Sequence, residues 1–286
     1  MLLLEPFTVG FVQRAVVWGV LLSGVCALVG VWVLARGMTF LGEAMSHGML
    51  PGVAIASLAG GSLVIGAAAS ALVMALGVNA LRSQREFGRD TAIGLLFVGM
   101  LSAGVIIVSH SASFATDLTA FLFGDVLAIR GGDLALLGTA LAGVLLVGCL
   151  FHRAFLALTF DERKAKTLGL HPGRANVVML VLLTVTMAVS FVVVGTLLAF
   201  GMLVAPSASA LLLTRRIPAA MATAFAMGVI SVVVGMLVSW HAATAAGATI
   251  AAAAVVIFFL ALGARTVAMR VRRFPSADPA FAGSTI

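Results

Sequence analysis

The apolar positions of this chain fall into long unbroken runs, with neither the two-residue alternation of a half-buried strand nor the narrow stripe of a surface helix. The runs lie at about 15–35, 44–60, 62–81, 91–109, 133–151, 175–195, 197–213, 218–239 and 247–264. Each approaches the roughly 20 residues that a helix needs to cross the hydrocarbon layer. A further stretch, 118–128, is too short to cross and predicts a partial or re-entrant helix. Transmembrane strands would alternate apolar and polar positions over about ten residues. The pattern therefore predicts an all-α, polytopic membrane protein of eight or nine crossings plus the partial helix. It forms one transmembrane domain over 1–264, followed by a basic tail, 265–286, without fixed structure.

Composition excludes the alternatives. Of 286 residues, 62% are hydrophobic and 9% charged, with a mean hydropathy of +1.22. Soluble domains hold about 45–50% apolar and about 25% charged residues. A water-soluble globule, a disordered chain and a disulfide scaffold are all ruled out. The two cysteines, Cys26 and Cys149, lie inside apolar runs and read as packing residues.

A net charge of +7 would suggest nucleic acid in a soluble protein. Here the cations gather at the ends of the runs, so no nucleic-acid partner is expected. The clusters are Arg82, Arg85 and Arg89; Arg153, Arg163, Lys164, Lys166 and Arg174; Arg215 and Arg216; and Arg265, Arg270, Arg272 and Arg273. The alternate loops, near 110–117, around Gly195 and at 240–246, contain no Lys or Arg. The positive-inside rule then places every cluster, and the C-terminus, in the cytoplasm. Counting back puts Arg36 inside as well, which gives nine crossings and an external N-terminus. Arg14 lies on the wrong side of that arrangement, and an interfacial first segment with eight crossings fits nearly as well. Residues 1–14 have no positive leader region and carry Glu5, so a cleaved signal is not expected.

Ionisable residues near or inside apolar runs are costly, which makes each a functional candidate. The most informative segment is 37–52, GMTFLGEAMSHGMLPG. Glu43 and His47 are four apart and share one helix face. A carboxylate with an imidazole suits zinc, manganese or iron(II). Pro51 lacks an N–H and frees the carbonyl of His47, while Gly42, Gly48 and Gly52 permit close backbone approach. Two readings stand side by side. Either the pair lines a metal path, or it is a hydrogen-bonded pair at a helix end with Pro51 as a kink. Two protein donors are too few for a structural zinc site, which has four, and suit a transient site better.

Other positions carry less. His110 and Asp117 flank an external loop, where they could draw cations to a mouth or be solvated, with Asp117 capping 118–128. Asp125 either lines a pathway or ends that short helix. His241, beside Trp240, fits an interfacial belt. Pro206 interrupts 197–213 and frees the carbonyl of Met202, either as a helix break on a pathway or as a packed kink. Residues 159–173 form the longest charged cytoplasmic segment. Asp161 and Glu162 suit the first turn of a short helix and Gly169 its end, so the segment is either a docking element or an ordinary solvated loop. No phosphate-binding GxxxxGK[ST] loop, HExxH or GxSxG occurs, so neither ATP binding by that route nor membrane proteolysis has its signature.

Taken together these segments resemble the permeases of ABC importers for zinc, manganese and iron. Residues 41–52, LGEAMSHGMLPG, are similar to that family's G-D-A-x-S-H-x-x-L-P-G signature. Three further matches follow in the family's order: Asp117 to Asp125 with FLFGD at 121–125; Phe160-Asp161 with Ala165 and Gly169; and GTLL from Gly195 through APSASA at 205–210. The resemblance spans roughly residues 10–265 and implies a type II-like ABC importer permease bundle in a bacterial inner membrane. It implies a homodimer with the path between the copies, two ATP-hydrolysing subunits beneath and an extracytoplasmic metal-binding protein above. Glu43 and His47 would be transient ligands in alternating access, and Asp161, Glu162, Ala165 and Gly169 would belong to the helix that engages the ATPase. ATP would bind the partner, not this chain. The cargo is zinc or manganese, with zinc narrowly ahead. The family's acidic residue is Asp, whereas position 43 is Glu, one methylene longer. The rival readings are an ATP-independent secondary transporter or cation channel, and a non-transport membrane scaffold.

Overall fold

The computed structural model describes residues 8–82, 89–109, 131–160 and 171–273. Among these there are nine helices and no strand: α1 (Gly10–Ala35), α2 (Thr39–Gly48), α3 (Leu50–Leu58), α4 (Leu63–Arg82), α5 (Arg89–Val108), α6 (Gly131–Phe160), α7 (Pro172–Leu213), α8 (Ile217–Ala242) and α9 (Ala246–Arg273). Eight segments are long and apolar enough to cross a membrane, two of them within α7. The run at 44–60 is not a ninth continuous span. It is covered by α2 and α3 set end to end, so the second crossing is split. Helix α9 continues through 265–273. The 118–128 stretch, His110, Asp117, Asp125 and residues 161–170 lie outside the described residues.

Side-chain neighbours give the direction of each helix. Along α1, Cys26 meets Ser190, Val29 and Trp32 share a cleft with Met179 and Leu182, and Arg36 donates to Asn176 Oδ1 at 3.0 Å. The first half of α7 thus runs antiparallel to α1. Gly228 abuts both Ser23 and Met202, while Gly30 abuts Leu203 and Ser207, so the second half of α7 runs parallel to α1. The chain therefore folds back on itself within α7. The reversal is at Gly195, whose φ of 72° and ψ of 177° interrupt otherwise helical backbone. That region of dihedral space is essentially open to glycine alone. Gly195 is also buried, between Val194 and Thr196 at 0% and 2% exposure. Gly195→Ala is accordingly expected to cost about 1–3 kcal/mol, read as a lowered thermal midpoint of the purified permease.

Pro206 is not a break. It sits inside the continuing second half of α7, and the one departure from helical dihedrals there is at Gly195. Its φ suits a helix, and it is buried, as are Ala205 and Ser207 beside it.

Helix α6 runs parallel to α1, since Gly24 faces Leu141 and Trp32 faces His152. Helix α8 runs antiparallel to α1 (Gly19 on Val232, Ser23 beside Gly228), and α9 returns through residues 243–245. Helix α4 is antiparallel to α2–α3, with Gly48 on Met74 and Gly52 on Gly66 and Ser70. Arg36, Arg82, Arg153, Arg174, Arg215 and Arg216 consequently lie at one end of the bundle, although they are scattered along the chain. Arg14, at the start of α1, lies at the other.

Two-thirds of the α1 window is buried inside the protein, against 11% of the α6 window. α1 is the central post and α6 a peripheral one. Several buried hydroxyls are satisfied within their own helix, as in Ser23 to Gly19 O, Ser190 to Thr186 O and Ser209 to Ala205 O. Small residues let backbones approach where helices meet most closely, as at Gly30 and Gly52.

Candidate metal pathway

The site begins with the turn that launches α2. Gly37, at φ 62°, closes α1 in a Schellman arrangement: its N–H reaches Leu34 O at 2.9 Å and that of Met38 reaches Val33 O at 2.8 Å. The chain is thereby turned back into the bundle one residue before Thr39. On α2, Leu41, Gly42, Ala44, Met45, Ser46 and Gly48 are buried. Phe40 and Glu43 are exposed and His47 is partly buried, so positions 40, 43 and 47 form the one face that looks out of the protomer.

Depth follows from neighbours. Gly42 lies against Phe200 and Leu203, midway along the 194–213 crossing, and Gly48 lies against Met74, near the middle of α4. Glu43 and His47 are thus at mid-span. Glu43 is close enough for its charge to act on the His47 imidazole, and the His47 ring meets the edge of Phe97 on α5 with centroids 5.6 Å apart. Phe97 thus packs on the imidazole from α5.

The local break is set by Pro51. α2 ends at Gly48, and Pro51 stands in the first turn of α3, where a missing N–H costs nothing. The Gly48 carbonyl is drawn into a hydrogen bond across helices: Ser70 Oγ donates to it at 2.7 Å. Gly52 and Gly66 then bring α3 and α4 together backbone to backbone. Phe97, Ser70 and Gly66 were not evident from the sequence. For Gly66 and Ser70, the spacing Gly-x-x-x-Ser in an apolar helix is the signal that marks such a contact. Phe97 has no comparable signal.

Among the described residues no three of His, Cys, Asp and Glu cluster closely enough to hold an ion. Among the described residues the donors on this face are the Glu43 carboxylate and the His47 imidazole. Such a pair can hold a hydrated divalent ion loosely and release it. A carboxylate directed into hydrocarbon at mid-span costs about 2.5–3.5 kcal/mol on insertion scales. The exposed face of α2 is therefore built to look onto water or another polypeptide, not lipid.

The chain is similar to known membrane transport proteins. The chain is 34% identical over 254 residues to the manganese transport system membrane protein MntC of Listeria innocua, covering 88% of this chain and 90% of that one. It is 32% identical over 269 residues to the probable iron transport system membrane protein of Haemophilus influenzae, covering 94% and 98%. The structure of PsaBC from Streptococcus pneumoniae in complex with Fab superposes with a TM-score of 0.82 at 29% identity, over 91% of this chain and 94% of that chain. The sequence profile of the ABC 3 transport family matches residues 8–265, and the split mid-span crossing with its Glu43–His47 face thus belongs to a member of that family.

Proposed function

We propose that this permease carries a divalent transition metal, manganese ahead of zinc or iron, along a path between two copies of itself. Separate cytoplasmic subunits hydrolyse the ATP. The observation that carries the reading is the ionisable face of α2, Glu43 and His47, exposed at mid-span in a single protomer. A second copy related by a two-fold axis would turn the two faces toward each other and supply four donors around one aqueous path. Manganese moves ahead of zinc because of what the relatives are named for, and because a carboxylate oxygen suits manganese. Glu43 in place of the family's Asp reaches one methylene further into that path.

In this reading a metal-binding protein outside the membrane delivers the ion. Asp117 and Asp125 would be further ligands for the ion, and residues 159–173, with Asp161, Glu162, Ala165 and Gly169, would engage the ATPase. Residues 1–264 act as one permease domain, with the C-terminus in the cytoplasm. The gathering of cationic ends at one end of the bundle supports that orientation. Rocking of the two copies would expose the Glu43–His47 faces to each side in turn.

The direct test is manganese uptake into proteoliposomes holding the permease with and without its ATP-binding subunits. Uptake that requires both the subunits and ATP is expected. Equal uptake by the permease alone would favour an ATP-independent transporter and overturn this reading.

A second expectation concerns pH. Metal ligation needs the imidazole lone pair, so transport is full where His47 is neutral and is lost as it takes up a proton. An ordinary histidine titrates near pH 6.5. Uptake by the intact complex should therefore decline as the pH falls through the acid range, and a flat profile from about pH 8 to about pH 5 would count against His47 as a ligand.

A further inference from the structure

Helix α6 packs on α1 on the same side as α8, since Gly24 of α1 meets both Leu141 of α6 and Phe225 of α8. Between α1, α6, α7 and α8 it leaves a cleft of about 250 Å³. Leu28 and Trp32 of α1, Leu145 and Gly148 of α6 and Leu182 of α7 make its walls apolar. From Val144 to His152 the cleft follows α6 for about 12 Å. It is open on one side, and Leu145 and Cys149 at its lip are exposed.

One end of the cleft is different. His152 lines it there, its ring 5.5 Å from that of Trp32 in an edge contact. Arg153 is exposed one turn beyond Cys149, continuing the face of α6 that lines the cleft. Arg36 stands one turn beyond Trp32 and is tied across to Asn176, one turn before the lining residue Met179. Three helices therefore bring cationic or donor groups to the same end. The described carboxylate of α6, Asp133, is in its first turn at the opposite end. An apolar channel with a cationic rim between membrane helices has the chemistry of a phospholipid site.

We propose that this cleft seats an acyl chain of an anionic phospholipid from the leaflet at the arginine-rich end, its phosphate resting on Arg153 with His152 and Arg36 behind it. Gly148 is what makes room. A side-chain carbon added there meets nothing within 4 Å, so the helix presents a smooth floor at the middle of the channel. The bound lipid completes the packing of α6, otherwise the least buried crossing. This assignment stands apart from the metal reading, since none of its residues lies on α2, and a failure of either leaves the other in place.

The test uses Trp32 as the reporter. The full-length permease carrying Trp18→Phe and Trp240→Phe is placed in nanodiscs of phosphatidylcholine containing a minor share of brominated-chain phosphatidylglycerol, or of equally brominated phosphatidylcholine. Quenching of Trp32 is expected to be about fivefold more effective with the anionic lipid, the preference set by one arginine near the phosphate plane. Arg153→Gln should abolish that preference, and Gly148→Leu should remove quenching by both lipids. Equal quenching by the two lipids would reduce the cleft to ordinary lipid contact and overturn the proposal. Absence of quenching by either, as when a second copy covers the cleft, would overturn it too. Should the double tryptophan variant fail to fold, native mass spectrometry of the unaltered chain decides. Retained phosphatidylglycerol is expected, and it should be lost in Gly148→Leu. Equal retention in both proteins would overturn the assignment.

Discussion

Glu43→Ala is expected to abolish manganese uptake by the assembled transporter, lowering it at least about tenfold at equal membrane abundance, the scale on which even supporting groups around a metal act. The structure separates this loss from misfolding. Glu43 is exposed on α2 and makes no hydrogen bond or ion pair with the described residues. Removing a mid-span charge would, if anything, ease insertion. His47→Gln should behave alike while preserving much of the volume that packs on Phe97. Glu43→Asp restores the acid usual in the resembling permeases and is expected to keep transport while shifting the preference among metals. The measurement is uptake of radioactive manganese and zinc by cells carrying the whole complex, with permease and ATPase quantified in the same membranes. Uptake unchanged by both Glu43→Ala and His47→Gln would remove the pair from the path and reduce it to a feature of helix packing.

The largest effect on folding is expected at Gly52. α3 and α4 touch through Gly52 and Gly66, and a carbon added to Gly52 would collide with the Gly66 carbonyl and with Ser70 Cβ. Overpacking a core costs about 1–3 kcal/mol when side chains can yield. Here the obstacle is backbone, so Gly52→Leu should exceed that range and leave little folded permease. It would also part Ser70 from the Gly48 carbonyl, the bond that ties the end of α2 to α4. Gly263→Leu is the matched control, because that position faces open space. Monodisperse yield on size exclusion and the thermal midpoint compare the two. A Gly52→Leu protein as abundant and as stable as the Gly263→Leu protein would mean that α3 and α4 do not meet as closely as described.

Much of this was legible in the residues, for reasons that differ by feature. The crossings could be read because hydrocarbon demands about 20 apolar residues irrespective of what they pack against. Glu43 and His47 could be paired because a four-residue spacing on a helix is local geometry. The position of the break in α7 was half legible. The loop around Gly195 was expected, but the proline at 206 drew attention as the site of a distortion. A buried proline can stay within a continuing helix, whereas φ 72° leaves glycine no competitor. Phe97 was not legible at all. It is one apolar residue among many in α5, and only the register of α5 on α2 selects it. The cleft beside α6 was hidden for the same reason: Cys149 read as a packing residue of its run until α1, α7 and α8 were set around it.

By itself, the sequence determined an all-helical membrane bundle, its cationic ends and the donor pair of its second crossing. These depend on burial cost, charge and local spacing, which act over a few residues or a single helix. Only the tertiary structure decided that the crossing is split at Gly48–Leu50, that its donors stand at mid-span, and that they face out of the protomer. Those facts depend on which helix lies beside which and in what register. Lipid tails are as apolar as leucine, so hydrophobicity cannot set that register. It is set by contacts such as Gly52 on Gly66 and Gly42 on Leu203, between residues far apart in the chain that carry no mark of their partner.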